Sequence, residues 1–312
     1  MTSEMIDPTV EAAPSPAGPE TTRVATRRLS KWTLYSRRYA RNKGAVAGLV
    51  IFALLVLFAI FGPLIARYDH VELDFLALST GPTAEHWFGT NNAGNDLFAQ
   101  VAVGLQRSLM IAVTVSVGVT IVSALVGTAA AYFGGWTERI ALLVIHFMMV
   151  IPSFLILAMI SNKSGGDWRV IALIMIFVIG WYFPARVIWT LALSLREREY
   201  VSAARYMGVR GFRIVLRHLL PNIGSLLVIN FTLGVVNAVV AETGLSFLGF
   251  GVKIPDVSLG ALIGAGSSSL ITSPWLFYFP AAALTLLTVS MALVADGLRD
   301  ALDPTSAAGG RA

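Results

Sequence analysis

The sequence predicts an all-α membrane protein with six transmembrane helices, and three observations carry that prediction. The first is composition. Of 312 residues, 56% are hydrophobic and only 13% are charged, against about 25% charged in an ordinary soluble domain. The second is run length: several apolar stretches reach the roughly 20 residues that a bilayer crossing needs. The third is the placement of Lys and Arg, which gather on alternate connections between those stretches. One large soluble core is the competing reading, and the length of the apolar runs excludes it.

Residues 1–34 form a tail rich in Thr, Pro, Ala, Ser and Glu without an apolar period, and are expected to be disordered. The apolar character begins only near Gly44, too late for a secretory leader. Residues 35–107 hold the first span and a long loop. Residues 108–300 hold five further spans, and 301–312 close the chain as a second tail. The spans are expected at 44–66, 108–133, 140–161, 170–195, 223–243 and 275–298. At about 1.5 Å of rise per residue each covers roughly 30 Å, the thickness of the hydrocarbon core.

An even number of spans puts both termini on one side. That side receives Arg23, Arg27, Arg28, Lys31, Arg37, Arg38, Arg41 and Lys43 from the tail, and Arg196, Arg198, Arg205, Arg210, Arg213 and Arg217 from the connection 196–222. The other side receives only Arg67, Arg107, Lys163, Arg169 and Lys253. Both termini are therefore expected in the cytoplasm, in a multi-pass protein of the cell membrane. The same asymmetry accounts for the net charge of +5 without any nucleic-acid partner. Two long connections, 67–107 and 244–274, face outward; the first carries Asp69, Glu72, Asp74, Glu85 and Asp96.

Several chemistries are missing. There is no cysteine, hence no disulfide, thiolate nucleophile or Cys-ligated metal. No G-x-x-x-x-G-K-[ST], H-E-x-x-H or G-x-S-x-G occurs. His70, His86, His146 and His218 lie too far apart in sequence to suggest a local metal site.

The charged interior stretch "EYVSAARYMGVRGFRIVLRHLLPN", 199–222, holds most of the functional signal. A short helix over 199–207 would present Ala203 and Ala204 as a small surface that another backbone can approach. Gly208 suits the position just past a helix end. A second helix follows from about Gly211. Its Phe212, Val215, Leu216 and Leu219 fall at i, i+3, i+4 and i+7, one apolar stripe, with Arg210, Arg213 and Arg217 opposite. Pro221 marks a break before the fifth span. Two readings fit these residues: a surface helix that anchors the protein to lipid phosphates, or a docking helix for another protein.

The spacing resembles the cytoplasmic loop of permease subunits of ABC importers, whose pattern is E-A-A, three residues, G, nine residues, I-x-L-P. Ala203-Ala204, Gly208 and Leu220-Pro221 stand at those spacings. Ser202 replaces the Glu, as is common in the peptide-importer branch, and His218 replaces the Ile. The resemblance runs from about residue 35 onward and is closest to the C-type membrane subunit of oligopeptide and dipeptide importers. Further support comes from "FGGWTER" (133–139), "VIPSF" (150–154), "ETGLSFLGFGVKIPDVSLG" (242–260) and "DGLRDALDP" (296–304).

That resemblance implies the type I importer permease fold and a coupling helix at about 199–208. Ser202, Ala203, Ala204, Arg205, Tyr206, Met207 and Gly208 would dock on an ATPase subunit. Arg205 would meet acidic groups there, with lipid phosphate or plain solvation as the alternative. It also implies the partners: a second homologous permease, two ATPase subunits or domains, an extracytoplasmic substrate-binding protein and the bilayer. ATP and Mg would reside on the ATPases, with no cofactor on this chain and no enzymatic activity of its own. The cargo implied is a peptide; sibling systems carry nickel or haem. An ion-coupled secondary transporter is the reading from another class. It would favour acids within the spans and an inverted repeat; no acid stands in the middle of any span.

For the translocation path the candidates are His146, Asn230 and Asn237. The two asparagines are seven apart and share a helix face, where they would line the path or bond between helices. His146 stands where the family often has Asp, and is either functional or a packed neutral residue. Pro152 and Pro184 are expected to kink their spans. At the outer mouth, "GTNNAGNDLFAQ" (89–100) resembles the family in Gly89, Thr90, Gly94 and Asp96 but has Asn91, Asn95 and Gln100 in place of charges. Asn91, Asn95, Asp96, Glu242 and Phe247 are the candidates for contact with a binding protein or for the outer gate. The segment 242–260 would contact the binding protein or the partner permease, with a cap sealing the outer end as the alternative.

Overall fold

Length of apolar run sets the skeleton. The computed structural model describes residues 31–161, 165–178, 180–253 and 255–302. The tail 1–30, Lys163 and the residues after 302 lie outside it. Helix α1 (Lys31–Arg41) leads into α2 (Lys43–Ile65), whose first turn is capped by Asn42 Oδ1 accepting from Ala45 N at 3.1 Å. Helix α3 (Leu97–Phe133) has 37 residues, about 55 Å at the helical rise, and so projects well beyond a bilayer core. Its N-terminus is capped by Asp96, which accepts from Ala99 N at 2.8 Å.

The spans expected at 140–161 and 170–195 are both broken. Helices α4 (Gly135–Val150) and α5 (Ser153–Ser161) meet at 80°, and α6 (Trp168–Val178) and α7 (Tyr182–Arg196) at 43°. At the first break Pro152 has no N–H to continue the ladder, and Ile151 before it is extended at φ −77, ψ 132. At the second, Gly180 takes φ +89. Pro184 is not the kink: it sits in the first turn of α7, where its missing donor would have been unpaired anyway.

The chain then runs through α8 (Glu199–Tyr206), α9 (Gly211–Ile214), a π turn at Val215–Leu219 and α10 (Leu220–Asn222) into α11 (Gly224–Phe247). Helix α12 (Leu259–Ser267) and the long α13 (Trp275–Leu302) finish it. Among the described residues four helices are long and apolar enough to cross a membrane, and six spans result when each bent pair counts as one. The all-α expectation holds, with four to six spans by length and composition.

Helix α3 is the mast of the bundle. Its Leu105, Ile111, Ala112 and Val115 are buried with Val235 and Val239 of α11 and Leu287 of α13 in one apolar cluster. Small residues set the closest approaches. A side chain at Gly127 of α3 would come within 2.6 Å of the Ala185 carbonyl, so α7 lies against α3 backbone to backbone.

Candidate functional site

The end of the bundle carrying Arg196–Arg217 is built on an apolar seat. Helix α8 closes with two reverse bonds: Gly208 N donates to Arg205 O at 3.0 Å and Val209 N to Ala204 O at 3.1 Å. Together they form a Schellman end, which needs a left-handed residue, and Gly208 supplies it at φ +76. The space around Gly208 is open, so the requirement is conformational, not steric. Val201 and Ala204 turn inward onto Ile214, Val215 and Leu219, with Val209 completing the contact.

This seat sorts the candidate docking residues. Ala204 is 2% exposed and belongs to the chain's own core, so it cannot serve as free docking surface. Ala203, Arg205 and Gly208 are exposed and Ser202 is half-buried. Tyr206 at 85% and Met207 at 76% stand clear of the chain. The available face is thus Ala203, Arg205, Tyr206 and Met207, a flat residue flanked by large adaptable ones.

The apolar stripe expected on the following helix is displaced. Ile214, Val215 and Leu219 are buried, whereas Phe212 is 61% exposed and Leu216 also faces out. The cause is Pro221. It has no N–H, and its ring would strike the carbonyl four residues back. The helix widens instead: Leu220 N bonds to Val215 O, five residues back. Pro221 therefore produces a π turn, not a break, and the chain passes into α11 with only Ile223 between.

The seat is tied to the bundle at several points. Arg196 Nη1 donates to Ala131 O at 2.8 Å, and its Nε reaches Glu197 at 2.9 Å. Trp189 Nε1 donates to Glu138 at 2.9 Å, joining α7 to α4. A side chain at Gly211 would meet the Tyr132 ring at 2.7 Å, so the start of α9 rests on the end of α3. His218 is half-buried beside Tyr200, with ring centroids 6.5 Å apart.

The path candidates fall in two places. Asn230 and Asn237 do share a face, lining a cavity of about 180 Å³ with Ser116, Thr120, Phe183 and Pro184. The buried Nδ2 of Asn230 has no hydrogen-bond partner among the described residues. His146 lies elsewhere, on the exposed side of α4, with its Nε2 against Nη1 of Arg186 on α7. Arg186 is the functional candidate that the sequence reading passed over. A lone cation inside the run 170–195 was the available signal.

At the opposite end the candidates are mostly internal. Glu242 is fully buried. It accepts from Ser246 Oγ at 2.6 Å and Ser108 Oγ at 3.4 Å; Ser108 Oγ in turn accepts from Leu259 N at 3.2 Å. This network joins α3, α11 and the start of α12, so Glu242 is no surface contact. Asp96 is buried as the cap of α3 and holds His86 Nδ1 at 2.9 Å. Asn91 folds its own turn, its Oδ1 accepting from Ala93 N and Asn95 N at 2.9 and 3.0 Å, while Asn95 Nδ2 donates to Glu72 O at 2.9 Å. Of the five residues only Phe247 is largely exposed.

The bundle of straight and bent apolar helices, with a short helix seated at one end, is that of a multi-pass membrane protein. Residues 123–307 match the family described as "Binding-protein-dependent transport system inner membrane component", and 30–82 match the "N-terminal TM domain of oligopeptide transport permease C". The chain is similar to the oligopeptide transport system permease protein OppC of Mycobacterium tuberculosis, 45% identical over 89% of this chain and 96% of the relative. It is also similar to the protein of that name from Bacillus subtilis, 33% identical over 94% of this chain and 96% of the relative. The chain belongs to the family of binding-protein-dependent transport system inner membrane components.

Proposed function

We propose that this chain is the permease subunit of an ATP-driven importer of oligopeptides or dipeptides. It would form the path across the cell membrane with a second, homologous permease. The observation that carries the reading is α8. It is short, closed by a Schellman end, seated on an apolar core and tied to α3, yet presents Ala203, Arg205, Tyr206 and Met207 outward. Such a rigid, convex element transmits force, which an anchor to lipid does not require. Partner ATPases would grip it, hydrolyse ATP and drive the bundle between its two facings. An extracytoplasmic binding protein would deliver the cargo at the opposite end. The excess of Arg and Lys beside α1 and α8 supports a cytoplasmic location for that end and for both termini.

The test is reconstitution with the partner ATPases. Met207→Glu and Gly208→Val should each uncouple ATP hydrolysis from peptide uptake and weaken ATPase association. Retention of both uptake and association in these variants would sink the coupling role. Uptake that follows a proton or sodium gradient, and not ATP, would point to a secondary transporter.

A further inference from the structure

Arg186 presents a cation where a membrane span least tolerates one. It lies ten residues before Arg196, the end of α7, about 15 Å along the axis and so near the middle of a hydrocarbon core of about 30 Å. His146, eleven residues into α4 from Gly135, stands at the same depth. Both side chains are exposed on the bundle. Arg107, in α3, is paired with Asp256 at 2.8 Å. Arg186 makes no ion pair with a carboxylate among the described residues; its side-chain hydrogen-bond partner there is His146.

That neighbour orients without neutralising. A guanidinium only donates, so Nε2 of His146 must accept, which puts the imidazole proton on Nδ1. His146 takes one corner of the guanidinium, and the other N–H groups have no side-chain partner among the described residues. A planar fork of that kind fits a carboxylate with two parallel bonds.

The same face carries a second sign that it does not meet lipid. The α4/α5 break at Ile151–Pro152 lies just past His146, and the α6/α7 break lies just before Arg186. Interrupted backbone at membrane depth is tolerated only against protein or a water-filled space. Intramembrane cations follow the same rule. Headgroup phosphates stand half a membrane away, beyond one side chain.

We propose that Arg186, positioned by His146, is a carboxylate-binding point within the translocation path, and that its ligand is the C-terminal carboxylate of the peptide in transit. This rests on the peptide-importer reading. A terminal carboxylate is the one anion that every linear peptide offers whatever its side chains, so a transporter of varied peptides gains a constant handle there. His146 is a positioning residue in this scheme.

The assembled transporter, reconstituted in liposomes with its binding protein, gives the test. Uptake is followed for a neutral alanine-based pentapeptide and for its C-terminal amide. Each peptide is scored as variant over wild type, so the binding protein's own preference cancels. Arg186→Gln should lower uptake of the free acid about tenfold, the usual scale for one charge-assisted contact, and leave the amide unchanged. Arg186→Lys should retain part of the free-acid uptake, and His146→Ala should cost the free acid a smaller factor than Arg186→Gln. Unchanged amide uptake also certifies folding and assembly. Equal loss of both peptides would mean that Arg186 pairs with an acid of another subunit, and would overturn the proposal; so would no loss of either. A wild-type complex that takes up neither peptide with ATP defeats the importer reading itself, before any variant is made.

Discussion

The two ends of the bundle solve the same problem with opposite materials. At the α8 end an irregular connection is held by apolar packing: Val201, Ala204, Ile214, Val215 and Leu219 close beneath it, and polar groups stay outside. At the other end the connections are held by buried polar groups, with Glu242, Ser246 and Ser108 in one network and Asp96 and His86 in another. Apolar contact is non-directional and leaves the outer face of α8 free for a partner. A buried hydrogen-bond network is directional and costly to leave half-made. One end is thus a stiff platform with a free surface; the other is a latch of buried polar groups bonded to one another.

Four experiments test that contrast. The largest effect belongs to the seat: Ile214→Ala should destabilise the purified protein by about 3 kcal/mol through an unfilled core site, whereas Phe212→Ala should leave stability unchanged. Denaturation of the two variants side by side in detergent reads the register directly; a larger cost at Phe212 would mean that the helix continues in ordinary α phase. Next comes the latch. Glu242→Leu strands the Ser108 and Ser246 hydroxyls and should cost about 2 kcal/mol, while Glu242→Gln keeps one of the two acceptors and should cost less; equal melting midpoints for the two would remove the network. Gly208→Val must force a branched residue into the left-handed region and should cost about 1.5 kcal/mol, with Gly208→Asn much milder. Equal melting points for the two would remove the conformational explanation. The smallest is Asp96→Asn, about 0.5 kcal/mol, since Asn still caps Ala99 N and still offers the buried His86 Nδ1 a hydrogen-bond partner; a melting midpoint as low as that of Glu242→Leu would mean that the charge of Asp96 carries the pair.

Legibility in the sequence followed the range of the interactions. The spans were readable because run length is a local property, and so was the end of α8, since Ala204, Gly208 and Val209 sit within six residues of one another. The local reading failed where one residue acts at a distance. Pro221 changes the bonding of Val215 and Leu220; Val215 and Leu219 face inward as expected, but Ile214 joins them in place of Phe212 and Leu216. Pro152 was recognised as a kink, but nothing in the sequence gave its angle. Glu242 reads as a binding-protein contact or outer gate because its partner Ser108 is 134 positions upstream, and only the packing of α3 on α11 joins them. Ala204 was read as outward because the partner that covers it belongs to the next helix.

The π turn also fixes a phase. Each residue in an α-helix advances the bearing by about 100°, so an added residue between α8 and α11 would normally swing everything after it by that amount. Asn230 and Asn237 would then rotate out of the cavity they share with Ser116. The wide rung at Val215–Leu219 absorbs one residue without passing that rotation on. It is the clutch plate of the linkage: the length of the external arm can drift while the inward faces of α11 keep their heading.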